Sequence, residues 1–276
     1  MKKKTAGLFA VYILLAVFVV VAVFPFLWMV STSLKSNSSV FRIPPEIIPS
    51  KPDFSAYLSI WKNKGFFQAF FNSFKVASVT TICAMVISIM AGLGFARFDF
   101  KGQKKLQLLL LLAQLFPLVL LVTPYYTIMR KLDVIDEHMS LYLSYASFVI
   151  PFSVWMLTNY FRALPTELEE AALIDGSSTL GALIRITVPL SSPGIVATAI
   201  NAFILSWNEF LFAQTFIDSP GLRTLPIALK SFMGQYSTEW NTLMAASVIS
   251  TLPVVVMFIF LQRQLIAGMT SGAVKG

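Results

Sequence analysis

The stretch TAGLFAVYILLAVFVVVAVFPFLWMVSTSL, residues 5–34, contains no charged side chain. A helix of about 20 such residues, rising about 1.5 Å per residue, crosses the roughly 30 Å hydrocarbon layer of a bilayer. Charge-free windows of at least 21 residues follow at 76–96, 106–129, 139–161, 186–208 and 240–262. The six windows together hold 144 of the 276 residues, more apolar surface than the remaining polar residues could cover in water. The sequence predicts an all-α polytopic membrane protein with six transmembrane helices.

Charged residues are sparse and lie between these windows. Asp, Glu, Lys and Arg make up 12% of the chain, about half of the 25% typical of a soluble domain. Residues 106–112 and 254–261 are almost continuously apolar, whereas strands of a membrane barrel alternate polar and apolar positions over about 10 residues. The pattern favours helices over a barrel, and we predict a single transmembrane domain over residues 1–276.

The basic residues set the predicted orientation. Three lysines at residues 2–4 precede the first window, and four basic residues lie in the short connection at 97–105. The connection at 130–138 carries two basic residues against three acidic ones. Because short cytoplasmic loops are enriched in Lys and Arg, we expect both termini in the cytoplasm. The longer connection after the first window also carries basic residues, which weakens this bias.

The net charge of +8 is explained by these loops. It requires no nucleic-acid partner, because a basic membrane protein places its excess charge beside the bilayer. We therefore predict a multi-pass protein of the plasma (inner) membrane whose surroundings are the lipid bilayer.

The connection at residues 35–75 contains four prolines followed by an aromatic stretch. Proline favours extended backbone in the first half. Phe66, Phe67, Phe70 and Phe71 recur at helical spacing, which predicts a short helix lying at the membrane surface.

The segment at residues 162–185 carries several local structure signals. Thr166 and Glu169 form a T-x-x-E capping box, which predicts a helix from there to about Ile174. The Asp175-Gly176 pair then favours a helix end with a left-handed turn, and Ser177 or Ser178 can cap a second helix. Two short helices joined by a sharp corner are more than a simple connection between spans requires.

The same segment resembles a known motif. EAALIDG at residues 170–176 is followed, after nine residues, by ITVP at 186–189. This pattern resembles the EAA motif of ABC importer permeases, with conservative departures at Ser177, Leu183 and Val188. Together with the six windows, SWNEF at 206–210 and GAVKG at 272–276, it makes the chain similar to the smaller permease subunit of the maltose-type carbohydrate importers.

The resemblance implies a transmembrane permease subunit of an ATP-driven, binding-protein-dependent carbohydrate importer. Its partners would be a second permease in a heterodimer, two cytoplasmic ATPase subunits and an extracytoplasmic sugar-binding protein. The EAA loop would form a cytoplasmic coupling helix between spans four and five and dock in a cleft of the ATPase. The residues expected at that contact are Glu169, Glu170, Ala171, Ala172, Asp175 and Gly176.

No chemistry is expected from this chain itself. It lacks the G-x-x-x-x-G-K-[ST] motif that holds nucleotide phosphates, so ATP and Mg would belong to the partner ATPase subunits. We predict no catalytic residue, no metal site and no cofactor on this chain. A proton-coupled carrier is the weaker alternative, because an ion-coupled span normally keeps an ionisable residue at mid-membrane and the six windows contain none.

Uncharged polar and aromatic residues in the spans suggest a sugar pathway. Hydroxyl, amide and ring groups suit sugars because they offer hydrogen bonds and flat surfaces without charge. The candidates are Asn201, Ser206, Trp207, Asn208 and Tyr145. Such residues also hold membrane helices together, and this alternative stays open. The connection at residues 214–239 would reach toward the binding protein by resemblance, or simply join two spans.

Overall fold

The computed structural model describes residues 2–234 and 238–270, with the side chains of residue 8 and of residues 11–234 and 238–262. The described chain is helical, and its one β pairing is an isolated bridge between Met233 and Thr238. The helices are α1 (Lys2–Ser33), α2 (Ser55–Lys62), α3 (Lys64–Arg97), α4 (Gln103–Ala113), α5 (Leu118–Lys131), α6 (His138–Arg162), α7 (Glu167–Ile174), α8 (Thr179–Ala182), α9 (Val188–Leu190), α10 (Ser192–Trp207), α11 (Leu211–Phe216), α12 (Leu225–Ser231) and α13 (Trp240–Thr270). A π-helical turn, Leu183–Thr187, joins α8 to α9, and a 3-10 turn, Pro220–Leu222, follows α11. The prediction of an all-α fold is confirmed for these residues, and the 272–276 tail lies outside them.

Four of the predicted spans are continuous helices. α1, α3, α6 and α13 are each long and apolar enough to cross a membrane, as the first, second, fourth and sixth windows predict. In α1 the large side chains between residues 11 and 27 are mostly more than half exposed, as expected where lipid surrounds an apolar helix.

The third and fifth windows are bent, which the sequence analysis did not predict. α4 and α5 meet at 101°, and the helix ending at Leu190 meets α10 at 73°. Pro117 precedes α5 with an extended ψ of 124°, and Pro189 and Pro193 flank the second bend at Ser191. Proline lacks an amide hydrogen and clashes with the preceding turn, so it breaks the hydrogen-bond ladder at such points. The residues that the structure describes therefore hold four continuous candidate spans, or up to six if each bent pair is one span.

The chain packs as two compact units. The first comprises the residues up to 67 together with 228–252, and the second comprises 68–227 together with the residues from 253 onward. In the first unit, Lys35 is buried with its ammonium 4.4 Å from the centre of the Trp28 ring. The Ser33 hydroxyl lies 2.7 Å from the Tyr57 hydroxyl, which ties the end of α1 to α2. The single domain over residues 1–276 stays a prediction.

Two of the clusters of buried apolar side chains in the second unit join α3 to its neighbours. One joins α3, α5, α6 and α11 through Val76, Met129, Leu141, Tyr145 and Phe212, among others. The other joins α3, α6 and the π-helical turn, through Met85, Leu93, Leu157, Phe161 and Leu183. Gly92 allows α3 to approach α6 closely, since a Cβ atom there would lie 3.1 Å from the Leu157 Cβ. α3 is thus packed along its length against the rest of this unit.

The predicted surface helix around Phe66–Phe71 is wrong. These residues form the first turns of α3, which begins at Lys64, twelve residues before the charge-free window. Phe66 is buried, and Phe70 lies edge-on to Trp207, with ring centres 5.4 Å apart. The helix continues because no proline or glycine pair interrupts the sequence between the aromatic stretch and the span.

Candidate functional site

The EAA segment, residues 162–190, begins with the helix that the motif predicts. α7 runs over Glu167–Ile174. The predicted capping box is wrong, because the Thr166 side chain makes no capping hydrogen bond. The Glu169 side chain does not turn back to Thr166 and bonds elsewhere in the chain.

The Glu169 carboxylate is the centre of a small buried network. Its Oε1 atom accepts hydrogen bonds from Arg97 Nε at 2.7 Å and from Thr187 Oγ1 at 2.7 Å. The Arg97 Nη2 atom also donates to the Leu164 carbonyl oxygen at 3.2 Å. The side chains of Arg97 and Glu169 are only 8% and 14% exposed, so little water competes with this ion pair. The network fixes α7 to the end of α3 and to the π-helical turn.

The corner after α7 has a defined hydrogen-bond pattern. Gly176 has φ +86°, its amide donates to Leu173 O at 3.1 Å, and the Ser177 amide donates to Ala172 O at 2.9 Å. This pair of bonds is the Schellman motif, which closes a helix at a left-handed residue. The Ser178 hydroxyl then accepts from Gly181 N at 3.1 Å. The predicted corner and the serine cap are confirmed.

The six predicted docking residues divide into two groups. Ala172 is buried, and Glu169 is engaged inside the chain. Glu170, Ala171, Asp175 and Gly176 are exposed. Large apolar side chains lie exposed on the same segment, at Leu168, Leu173, Ile174, Leu180 and Ile184. Of these, Ile174 is 86% exposed. Apolar side chains grouped beside carboxylates on a short corner are typical of a protein contact surface.

The five predicted pathway residues do not converge on one site. Tyr145 is buried in the α3–α5–α6–α11 cluster, and Trp207 is buried and stacked on Phe203, with ring centres 5.7 Å apart. The Ser206 hydroxyl donates to its own helix at Ala202 O, 2.9 Å away. Packing accounts for these three residues. Packing does not account for Asn201 and Asn208 in the same way. The pathway role of all five residues stays a prediction.

Asn201, in α10, and Asn208, directly after α10, carry amide side chains whose hydrogen-bonding capacity is not fully used within the described chain. The Asn201 Oδ1 atom is enclosed and accepts no hydrogen bond within the described chain. Asn208 is exposed, although its Nδ2 atom donates to Ile204 O at 2.9 Å. An enclosed polar atom without a partner is costly, and the Tyr145 hydroxyl shares this feature with Asn201.

Glu209 has a role that the sequence analysis missed. Its side chain is buried, and its two carboxylate oxygens accept from Phe212 N at 2.8 Å and Ala213 N at 3.2 Å. A carboxylate that satisfies the free amides at a helix start is a local cap. Capping of α11 thus accounts for the buried Glu209 carboxylate. Its position directly after a charge-free window was the one available signal.

A second missed feature is the clamped loop, residues 217–225. Asp136 accepts from Asp218 N at 3.0 Å and from Ser219 N at 2.9 Å, and the Ser219 hydroxyl donates to its Oδ2 atom. The hydroxyl and the backbone amide of Ser219 lower the pKa of the Asp136 carboxyl. His138 Nε2 lies 2.9 Å from the Leu222 carbonyl oxygen.

α3 contributes the other side of this clamp. Asn72 Nδ2 donates to Gly221 O at 2.9 Å and to Arg223 O at 3.0 Å. The Ser73 hydroxyl accepts from Leu225 N at 2.8 Å. These are contacts between residues about 150 positions apart, so no local pattern could have predicted them. Part of the predicted 214–239 connection, residues 235–237, lies outside the described residues.

Comparison with known proteins agrees with this architecture. The sequence model of a family described as "Binding-protein-dependent transport system inner membrane component" matches residues 84–271. The sulfoquinovosyl glycerol transport system permease protein SmoH of Agrobacterium fabrum is 33% identical over 265 residues, 96% of this chain and 93% of that protein. The trehalose transport system permease protein SugB of Mycobacterium tuberculosis is 36% identical over 257 residues, 92% of this chain and 93% of that protein.

A solved structure has the same fold. One chain of a bacterial ABC transporter involved in the import of the acidic polysaccharide alginate superposes with a TM-score of 0.80. The match covers 96% of this chain and 98% of that chain at 20% sequence identity.

A helical membrane fold that carries an exposed EAA segment defines a transport subunit and not an enzyme. The chain belongs to the family of binding-protein-dependent transport system inner membrane components. It is a multi-pass inner membrane protein of the carbohydrate ABC importer permease type, as the EAA motif predicted.

Proposed function

We propose that this chain forms the translocation pathway of an ATP-driven, binding-protein-dependent carbohydrate importer together with a second permease subunit. Two cytoplasmic ATPase subunits would dock on the EAA segment, and an extracytoplasmic sugar-binding protein would deliver the substrate. The observation that carries this function is the exposed face of α7 and its corner. Glu170, Asp175 and Ile174 are exposed there on a helix whose inner side is fixed by Glu169.

The geometry suits a coupling element. The buried Arg97–Glu169 pair and the Schellman corner hold α7 in place from the inside. A force applied to the outer face therefore moves α7 as a body and is not lost in loop bending. ATP-driven closure of the ATPase dimer would move two such segments together and reorient a central cavity between the two sides of the membrane, and ATP with its Mg would remain on the ATPase subunits.

A carbohydrate substrate is supported by the relatives and by the polar groups of this chain. SmoH and SugB carry the names of sugar transport systems, for sulfoquinovosyl glycerol and for trehalose. The enclosed Asn201 acceptor and the exposed Asn208 amide offer uncharged hydrogen bonds of the kind that sugar hydroxyls use.

The orientation that this function requires has the EAA segment and both termini in the cytoplasm, with each bent helix pair counted as one span. The basic connection at 97–105 supports it. In a Cys83→Ser background, Lys104→Cys should react with a membrane-impermeant maleimide only after cells are opened. Asp136→Cys should react in intact cells. The opposite pattern would place α7 on the side without ATP.

Docking is tested by co-purification of ATPase subunits with the tagged chain. Gly176→Val and Glu170→Lys should reduce co-purification and abolish uptake of the sugar identified by a carbon-source screen of a deletion strain. Gly102 is a matched control, because it also has positive φ, +92°, and open space around a Cβ atom. Gly102→Val and Ser38→Ala should leave co-purification normal. Normal co-purification and uptake in both EAA variants would refute the docking role.

A further inference from the structure

α3 differs from the other continuous spans in its stiffness. α1, α6 and α13 contain Pro25, Pro151 and Pro253, whereas α3 contains no proline over its 34 residues. A proline inside a helix removes one backbone hydrogen bond and promotes bending. Among the continuous spans that the structure describes, α3 is thus the one with an uninterrupted ladder.

One end of α3 is fixed to the EAA segment. Arg97, the last residue of α3, forms the buried ion pair with Glu169 and also donates to the Leu164 carbonyl oxygen. Thr187 shares the same Glu169 oxygen from the other end of the segment. A displacement of α7 must therefore either carry the end of α3 with it or break a buried charge pair, which is strongly unfavourable.

The other end of α3 is fixed to the clamped loop, residues 217–225. Asn72 donates to the carbonyl oxygens of Gly221 and Arg223, and Ser73 accepts from the Leu225 amide. Gln68 Nε2 donates to the same Gly221 oxygen at 2.9 Å. The loop contains only one 3-10 turn of its own, so these side chains, together with Asp136 and His138, determine where its backbone lies.

Arg97 lies 25 positions after Asn72 in α3, so a rise of about 1.5 Å per residue separates the two attachments by about 38 Å. We propose that α3 is a strut that transmits movement of the EAA segment to the clamped loop on the opposite side of the membrane. The proposal rests on the proposed function, since the ATPase is what would move the EAA segment. The strut would let the nucleotide state of the ATPase set the position of the loop.

α6 offers a parallel connection, which makes a useful contrast. His138 at its start contacts Leu222 O, and Arg162 at its end donates to Phe95 O at 3.0 Å. Pro151 interrupts the middle of α6. The chain itself joins the end of α6 to the EAA segment, and Asp136, two residues before α6, holds the loop at Asp218 and Ser219. The two connections therefore differ mainly in the middle, where α3 has no proline and its hydrogen-bond ladder is uninterrupted. The geometry assigns the transmission to α3.

The test uses the complex that co-purifies with the tagged chain, reconstituted in nanodiscs in a Cys83→Ser background. Asp218→Cys, on an exposed position of the loop, reports through its rate of maleimide labelling with and without ATP, Mg and vanadate. In the complex whose α3 is otherwise unchanged, addition of ATP, Mg and vanadate should change the labelling rate about threefold or more. Such a change is expected when a loop shifts between two populated states. Arg97→Met and Asn72→Leu should each abolish this change while vanadate-trapped nucleotide stays bound.

Three further variants separate a strut from local structural damage. The exchange Arg97→Glu with Glu169→Arg should restore the response, whereas Lys104→Met, at an exposed lysine in the first turn of α4, should not affect it. The double variant Arg97→Met with Asn72→Leu should respond like either single variant, because both lie on one path. The strut proposal is refuted if the change in labelling rate persists in the single variants. It is also refuted if the charge exchange does not restore this change. Failure of any ATPase to co-purify with the unmodified chain would instead refute the proposed function.

Discussion

The EAA segment and the clamped loop show two ways in which one chain positions a surface. The EAA segment is built from local signals: a helix, a Schellman corner at Gly176 and a cap at Ser178. The clamped loop has one 3-10 turn, and side chains of α3, Asp136 and His138 hold its backbone. Local patterning therefore reveals the first surface in the sequence, while the second becomes visible only when distant residues meet.

The two regions nevertheless share one feature. Each region is bound by side chains of α3 that lie far from that region in sequence. Arg97 binds the EAA segment, and Asn72 and Ser73 bind the clamped loop. The difference between them therefore concerns how each surface is shaped, and not how each is anchored. Mutations that remove an anchor should therefore displace either region, and mutations that change local shape should affect only the EAA segment.

The largest effect is expected at the buried anchor. Arg97→Ala leaves the Glu169 carboxylate buried without its cation, which should cost about 3 kcal/mol. The midpoint of thermal unfolding in detergent should fall by about 6 °C or more. The matched control is the surface pair Arg42–Glu46, whose side chains are 66% and 23% exposed. Arg42→Ala should change stability by less than about 1 kcal/mol, and equal shifts for both variants would contradict this ranking.

The corner of the EAA segment should be the next most sensitive. Gly176→Ala puts a Cβ atom on a residue with φ +86° but without steric contact within 4 Å, so the cost is the backbone term of about 1 kcal/mol. Gly102→Ala should cost the same in a thermal unfolding comparison. A much larger loss at Gly176 would show that its surroundings are tighter than the structure indicates.

The two possible helix caps of the segment should differ. Ser178→Ala removes the hydroxyl that accepts from Gly181 N and should cost about 1 kcal/mol. Thr166→Ala should have little effect, because its side chain makes no cap bond. Paired denaturation curves of the two variants distinguish the observed cap from the capping box that the sequence predicts. A larger loss for Thr166→Ala would restore the capping box.

The smallest effect on global stability is expected at the clamp of the loop. Asp136→Ala should release residues 218 and 219 and speed tryptic cleavage after the exposed Arg223, without a large change in thermal unfolding. Because the Asp136 pKa is lowered in the folded chain, this clamp is fully present above the ordinary Asp pKa and is lost as the pH falls through the lowered value.

The same clamp can be followed by pH. The protection of the Asp218 and Ser219 amides against hydrogen exchange, taken relative to the intrinsic rate at each pH, should be lost only in acid for the natural chain and should be absent at every pH in Asp136→Ala. Fast exchange of both amides at neutral pH in the natural chain would show that the loop is not clamped.

Much of the candidate site could be predicted from sequence, but not which residues face outward. The EAA pattern predicted α7, its end and the corner, because helix propensity and glycine conformation act over a few residues. It also grouped Glu169 and Ala172 with the exposed docking residues. The structure turns these two inward, since Arg97, some 70 positions earlier, provides the buried cation that Glu169 pairs with.

The amino-acid sequence is sufficient to identify this chain as a helical membrane protein, because long charge-free windows have no other stable environment and each helix satisfies its own backbone. It also determined the EAA segment and, through it, the family. Only the tertiary structure decided where the third and fifth windows bend, that Glu209 caps α11, and that α3 joins the EAA segment to the clamped loop. Local energies act within a turn or two of helix, whereas these features depend on side chains that folding brings together from distant positions.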